Sequence, residues 1–249
     1  MLADEVKRMD GWLGRLASPT PWGVAGSCTI LATVAVAAAG FVGPAGERYD
    51  LLNHFVSELG WVAVNPAAAW FNAGLLAGGP LLLVFMVALA ARVGNAWAKA
   101  GGTVGVLAAA CGTLVGAFPM DDLGPHALVA MGFFYGGMVA ATLLSVAVVR
   151  AGGREETGAV RGGRLPRWLA VPGAALVVLF AAFNASIGGA FRDLSEGSSP
   201  ADVLAAPSAR PAVWPVAALE WAVVLGLLAW ILLASLAARD GRGPGPVSR

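Results

Sequence analysis

Charge is what this sequence has least of. Only 12% of its 249 residues are Asp, Glu, Lys or Arg, about half the ~25% usual in soluble domains. That argues against a chain that surrounds itself with a charged, water-facing surface. The net charge of +1 supplies no basic excess for a nucleic-acid partner. Cysteine is limited to Cys28 and Cys111, both inside apolar runs, with no Cys-x-x-Cys and no metal-type spacing. They are expected as reduced, buried small hydrophobes rather than a disulfide. There are two histidines, His54 and His126, and no His-Glu-x-x-His. Alternating apolar and polar segments, the mark of a membrane barrel, are missing as well.

Apolar residues are plentiful, at 58% of the chain with a mean hydropathy of +0.74. Thirty-four glycines accompany many alanines, and such small residues let transmembrane helices approach closely. A spanning helix needs about 20 mostly apolar residues. Six runs qualify, at 22–42, 67–93, 100–118, 127–149, 168–190 and 215–236. The fold class expected is therefore all-α, a single polytopic membrane domain of six transmembrane helices. The second run contains Gly78-Gly79-Pro80, a cause for a kink.

Lys and Arg set the orientation. Lys7, Arg8, Arg15, Arg92, Lys99, Arg150, Arg154, Arg161, Arg164, Arg167, Arg239, Arg242 and Arg249 fall on one side, and only Arg48, Arg192 and Arg210 on the other. This predicts a multi-pass cell-membrane protein with both termini cytoplasmic. The acidic residues Glu47, Asp50, Glu58, Asp121, Asp122, Asp193, Glu196 and Asp202 lie on the outer side, with both histidines. The first run, ending in Ala37-Ala38-Ala39, resembles a signal peptide, but its length favours an uncleaved first helix. Residues 150–167 are expected as a flexible cytoplasmic loop, 191–214 as an outer loop with a short helix near 200–205, and 241–249 as a disordered tail. FNAG at 71–74 and FNAS at 183–186 place Asn72 and Asn184 at similar depth on helices of opposite direction, so they do not mark an inverted repeat. Buried asparagines in lipid need partners.

The segment DLLNHFVSELG, residues 50–60, is the most polar stretch of its neighbourhood. Leu51, Leu52, Phe55, Val56 and Leu59 recur at helical spacing, with Asn53, His54, Ser57 and Glu58 opposite. Asp50 suits an N-cap and Gly60 a C′ position. This predicts a short amphipathic helix in the outer interface, with Asp50, His54 and Glu58 in one row. Such a polar face is also what any solvated helix presents. In a second cluster, FPMDDLGPHA, Asp122 or Gly124 can cap the fourth helix, Pro125 fits its first turn, and His126 lies beside Asp121 and Asp122.

The order of Ser57-Glu58-Leu59-Gly60, Trp70-Phe71-Asn72-Ala73-Gly74, Phe118-Pro119-Met120-Asp121 and His126 resembles the bacterial and archaeal domain-of-unknown-function family 998, over roughly residues 22–236. Glu220-Trp221 resembles an acidic position frequent in that family. The resemblance implies a six-helix membrane protein, distantly similar to eukaryotic proteins linked to lipid remodelling and autophagy, and no established reaction. A carboxylate such as Glu220 inside an apolar helix faces a partner, a wet cavity or the interface.

Three functions fit. One is an enzyme acting on a lipid or lipid-linked headgroup, with His54, His126 and Asp121 (or Glu58) holding Zn²⁺, or with Glu58 or His54 as general base and Ser57 beside them. The second is a lipid- or ion-binding protein in which Asp50, Asn72, Asp122, Asn184 and Glu220 join an outer polar pocket, and outer helix N-termini favour anions. The third is an assembly partner for an unidentified membrane protein, in which the polar cluster serves folding. Bis-histidine haem ligation by His54 and His126 is a fourth and weaker fit. An enzyme requires His54, Glu58, Asp121 and His126 to converge, whereas a binding protein requires a roomy pocket without a tight ligand cluster.

Overall fold

The computed structural model describes residues 18–151, 165–194 and 210–240. Among these residues the regular secondary structure is all helical, without strands. The elements in order are α1 (Pro19–Ala39), a 3-10 helix (Val56–Gly60), α2 (Ala68–Val93), α3 (Ala96–Val115), α4 (Leu123–Ala151), a second 3-10 turn (Arg167–Leu169), α5 (Ala170–Leu194) and α6 (Pro215–Asp240). Among the described residues, six helices are long and apolar enough to cross a membrane. The segments expected as a basic N-terminal tail, most of the 150–167 loop, the short helix near 200–205 and the 241–249 tail lie outside the described residues.

Sequence chemistry accounts for the helix ends. Pro19 and Pro21 occupy the first turn of α1, where a missing N–H costs nothing. The Asn95 side chain accepts from Ala98 N at 2.8 Å and caps α3. Gly94, with φ of +74°, ends α2 in the left-handed conformation. Helix α4 starts immediately after Asp122, whose carbonyl accepts from His126 N at 3.1 Å. Pro80 lies inside α2, which remains one continuous helix through it.

Each span packs on its neighbours in sequence, and α6 closes back on α1, so the six helices form a ring. Glycine sets the closest approach. A methyl group built at Gly26 of α1 would stand 3.0 Å from the Gly78 carbonyl of α2, and one at Gly78 would stand 3.0 Å from the Gly26 carbonyl. Such small-residue crossings drive association where lipid offers no hydrophobic advantage. Large apolar side chains such as Val87, Leu107, Leu128 and Val178 point outward, as a lipid-facing surface requires. Cys28 and Cys111 are both free, and Cys28 is exposed rather than buried.

The ring encloses a cavity of about 120 Å³. Its walls come from α1, α2, α3, α4 and α6, and the 3-10 helix crosses one end of it. That end is shared by the α1–α2 and α3–α4 connections and by residues 210–214 before α6. It is called the lid end below.

Candidate functional site

Residues 50–60 do not form the single amphipathic helix that their periodicity predicts. Residues 51–53 are turns, Phe55 is extended, and only Val56–Gly60 is helical, as a 3-10 helix. Asp50 organises the first turn. Its carboxylate accepts from Leu52 N at 2.9 Å, and its carbonyl accepts from Asn53 N and His54 N at 3.2 and 2.9 Å. These local bonds compete with helix extension. The expected faces are inverted in part: Leu51 and Leu52 are exposed, while His54 is 3% and Glu58 2% exposed. Asp50, His54 and Glu58 therefore form no common row.

Two buried carboxylates start the 3-10 helix. Glu58 Oε1 accepts from Phe55 N at 2.8 Å, and Glu220 Oε2 accepts from Val56 N at 2.6 Å. Both satisfy backbone donors that a helix N-terminus leaves open. Glu220, from the first turns of α6, is thus a lid anchor reaching across 164 positions of sequence. Glu58 is also paired with Arg210, whose Nη1 stands 3.0 Å from Oε1, 2.9 Å from Oε2 and 3.3 Å from the Asn53 carbonyl. Both side chains of the pair are 2% exposed.

Aromatic packing seals the same end. The Tyr49 hydroxyl donates to the Phe55 carbonyl at 2.8 Å and accepts from Trp221 Nε1 at 3.0 Å. The His54, Phe41 and Tyr49 rings pack in a triangle, with the His54 centroid 5.2 Å from each of the others. Its Nδ1 lies 3.2 Å from Asp50 N, and its Nε2 is 3.9 Å from Glu47. Trp214 packs edge-on against Phe55 at 5.0 Å, and its backbone N–H donates to the Leu52 carbonyl at 2.7 Å.

Burial shapes the titrations of this segment. Burial, and then the Arg210 cation, holds His54 below its ordinary value. Burial pushes the Glu58 carboxyl above the usual carboxylate range, against the pull of Arg210. Burial, and then the Glu220 charge, pushes the Tyr49 phenol up.

The remaining expected site residues are dispersed. Asp121 accepts from Val62 N and Ala63 N at 2.9 and 2.8 Å, so both of its oxygens hold the turn after the 3-10 helix. His126 Nδ1 lies 2.9 Å from the Phe118 carbonyl. Asn72 Nδ2 donates to the Gly60 carbonyl at 3.0 Å and ties the segment to α2. Asp122 is exposed at the start of α4. Asn184 on α5 is not part of the cavity wall, and its amide atoms are buried without a hydrogen-bond partner among the described residues. His54, His126 and Asp121 thus have separate partners, and no three His, Cys, Asp or Glu side chains among the described residues are grouped to hold a metal ion.

Ser57, His126 and Glu220 all line the cavity, at its lid end. The rest of the wall is almost wholly apolar and extends to Met86, Leu144, Trp230 and Ile231. From Glu220 to Ile231 along α6 is roughly 16 Å at about 1.5 Å per residue. Sequence reasoning left Tyr49, Asn65, Arg210 and Trp214 out of the site. Asn65 is buried and donates to the Leu59 carbonyl at 2.7 Å. Arg210 carried a usable signal: it is one of three basic residues among eight acids expected on that side, so its charge was the obvious counter-ion for a buried carboxylate.

No family model matches the chain, and no curated protein or solved structure matches it either.

Proposed function

We propose that this integral membrane protein binds a lipid, with the chain of that lipid inside the helix ring and its head under the lid. The observation that carries this reading is the cavity. It is an apolar cavity within the spans, with Ser57, His126 and Glu220 lining its lid end. That division matches an amphipathic ligand, since ligand pockets are mostly apolar with a few placed polar groups. Binding is favoured over catalysis because His54, Glu58 and Asp121 are engaged in building the lid and do not converge on a reacting atom. Membership of family 998, resting on the motifs at 57–60, 70–74 and 118–121, belongs to the same reading. So does the orientation in the cell membrane, with the lid end extracytoplasmic and both termini cytoplasmic, which rests on the distribution of Lys and Arg.

The test is lipid extraction and mass spectrometry of the protein purified in mild detergent, beside Ala109→Phe and Ala130→Phe. Both alanines line the cavity and are only half-buried, so each ring can enter the void with limited overpacking. A stoichiometric lipid in the parent, depleted in both folded variants, supports the reading. A lipid content equal in all three, or no lipid retained or bound by the parent, refutes it.

A further inference from the structure

The lid end of the cavity offers hydrogen-bond acceptors and no cation, and this restricts the head of the ligand. Among the described residues, no Lys or Arg lines the cavity. The Phe118 carbonyl can only accept, so the His126 Nδ1 beside it at 2.9 Å carries the proton. In the neutral ring this leaves Nε2 with a lone pair. Glu220 contributes a carboxylate, already turned toward the Val56 N–H. Ser57 contributes a hydroxyl, which donates or accepts. Thr113 also lines the wall, but its hydroxyl donates to the Ala109 carbonyl at 2.8 Å, within its own helix.

We propose that the ligand is an uncharged lipid alcohol, whose hydroxyl donates to His126 or Glu220 and accepts from Ser57. This rests on the lipid-binding reading and names its ligand class. A phosphate or carboxylate head would bring its own negative charge into an apolar lining that holds no Lys or Arg, which is heavily penalised. On this proposal the head is not the anion that helix N-termini alone favour. A free ammonium head would find acceptors, but would have to be stripped of water on entering the bundle, which a neutral hydroxyl largely avoids.

The test is competition against a fluorescent lipid probe bound to the detergent-purified protein at pH 8. The competitors are hexadecanol, a sterol, palmitate, hexadecyl phosphate and hexadecylamine. Displacement by hexadecanol or the sterol at concentrations about tenfold below those of the three charged chains is expected, one well-placed hydrogen bond or unpaired charge being worth at least that factor. Which of the two alcohols wins separates a linear from a polycyclic source of the same head. The Ser57→Ala and His126→Leu variants are expected to narrow the preference for alcohol without abolishing displacement. Equal or tighter binding of palmitate, hexadecyl phosphate or hexadecylamine overturns the alcohol assignment and leaves lipid binding standing. Failure of every competitor, together with failure of the probe to bind, overturns both.

Discussion

Replacing Arg210 by Met is the most informative perturbation of the lid. The Arg210 head holds both oxygens of Glu58 and the Asn53 carbonyl within 3.3 Å. Were the pair exposed, its loss would cost about 0–1 kcal/mol. Both side chains are 98% shielded from solvent, so removal of one partner strands a buried carboxylate, which costs about 3–5 kcal/mol. The double variant Arg210→Met, Glu58→Gln keeps an acceptor for Phe55 N without a stranded charge. It is expected to recover most of the loss, with a coupling of about 2–3 kcal/mol. The deficit of the single variant also has a pH signature. Without Arg210 the folded-state pKa of Glu58 rises further, so the folded protein binds this proton more tightly than the unfolded chain does. The penalty is absent below the unfolded value of about 4.3 and grows as pH rises through the folded value. Unfolding in mixed micelles, followed by the fluorescence of the nine tryptophans, measures the parent, each single variant (Arg210→Met and Glu58→Gln) and the double variant. A cost below about 1 kcal/mol for Arg210→Met, or a double variant whose cost is the sum of the singles, refutes the assignment of Arg210 and Glu58 as a buried lid pair.

Three further outcomes are expected. The folded-state pKa of His54 is lowered, so its contribution to stability is present above the unfolded value of about 6.5 and is lost as pH falls toward the folded one. The ratio of folded to unfolded protein measured against pH should therefore drop on the acid side, and His54→Phe, which keeps the contacts with Phe41 and Tyr49, should flatten that limb. In Gly60→Ala the new methyl would meet Asn72 Oδ1 at 2.5 Å and the Phe71 ring at 2.8 Å. A thermal-unfolding loss equivalent to about 1–3 kcal/mol is expected, and Asn72→Ala in the same chain should relieve part of it. Asp121→Ala removes the acceptor for two backbone donors and should cost about 1–3 kcal/mol, while chelation by EDTA should shift neither the melting temperature nor the lipid content. A chelator-induced loss of either would restore Asp121 as a metal ligand.

The spans were legible because their signal is local. Each requires only a long apolar run, and the observed helices begin and end within five residues of the runs. The differences come from capping chemistry that hydropathy does not register. Helix α3 starts at Ala96 rather than at residue 100 because Asn95 caps it, and α4 starts at Leu123 rather than at 127, with the Asp122 carbonyl accepting its first bond, from His126 N. Residues 50–60 were misread for the opposite reason. Periodicity there predicted a face turned to water, but the partners that bury His54 and Glu58 are remote. Arg210 lies 152 positions from Glu58, and Glu220 lies 164 positions from Val56. No window of sequence contains both ends of such a contact, so a polar face about to be paired and one about to be solvated look alike.

The polar residues that drew attention as chemistry divide by what they touch. Asp50, Glu58, Asp121 and Asn72 bond to the backbone of residues 52–63, a segment with little regular structure to satisfy its own donors and acceptors. In a protein this poor in charge, most of the acidic groups at the lid end are consumed in making an irregular lid stable over an apolar void, as buried backbone groups require. Ser57, His126 and Glu220 are the ones that also face the void. Their scarcity is itself selective: with so few polar groups at the lid end of an apolar cavity, the number of hydrogen bonds a bound head can make is small, and a head that needs many, or needs a counter-charge, is left unsatisfied there.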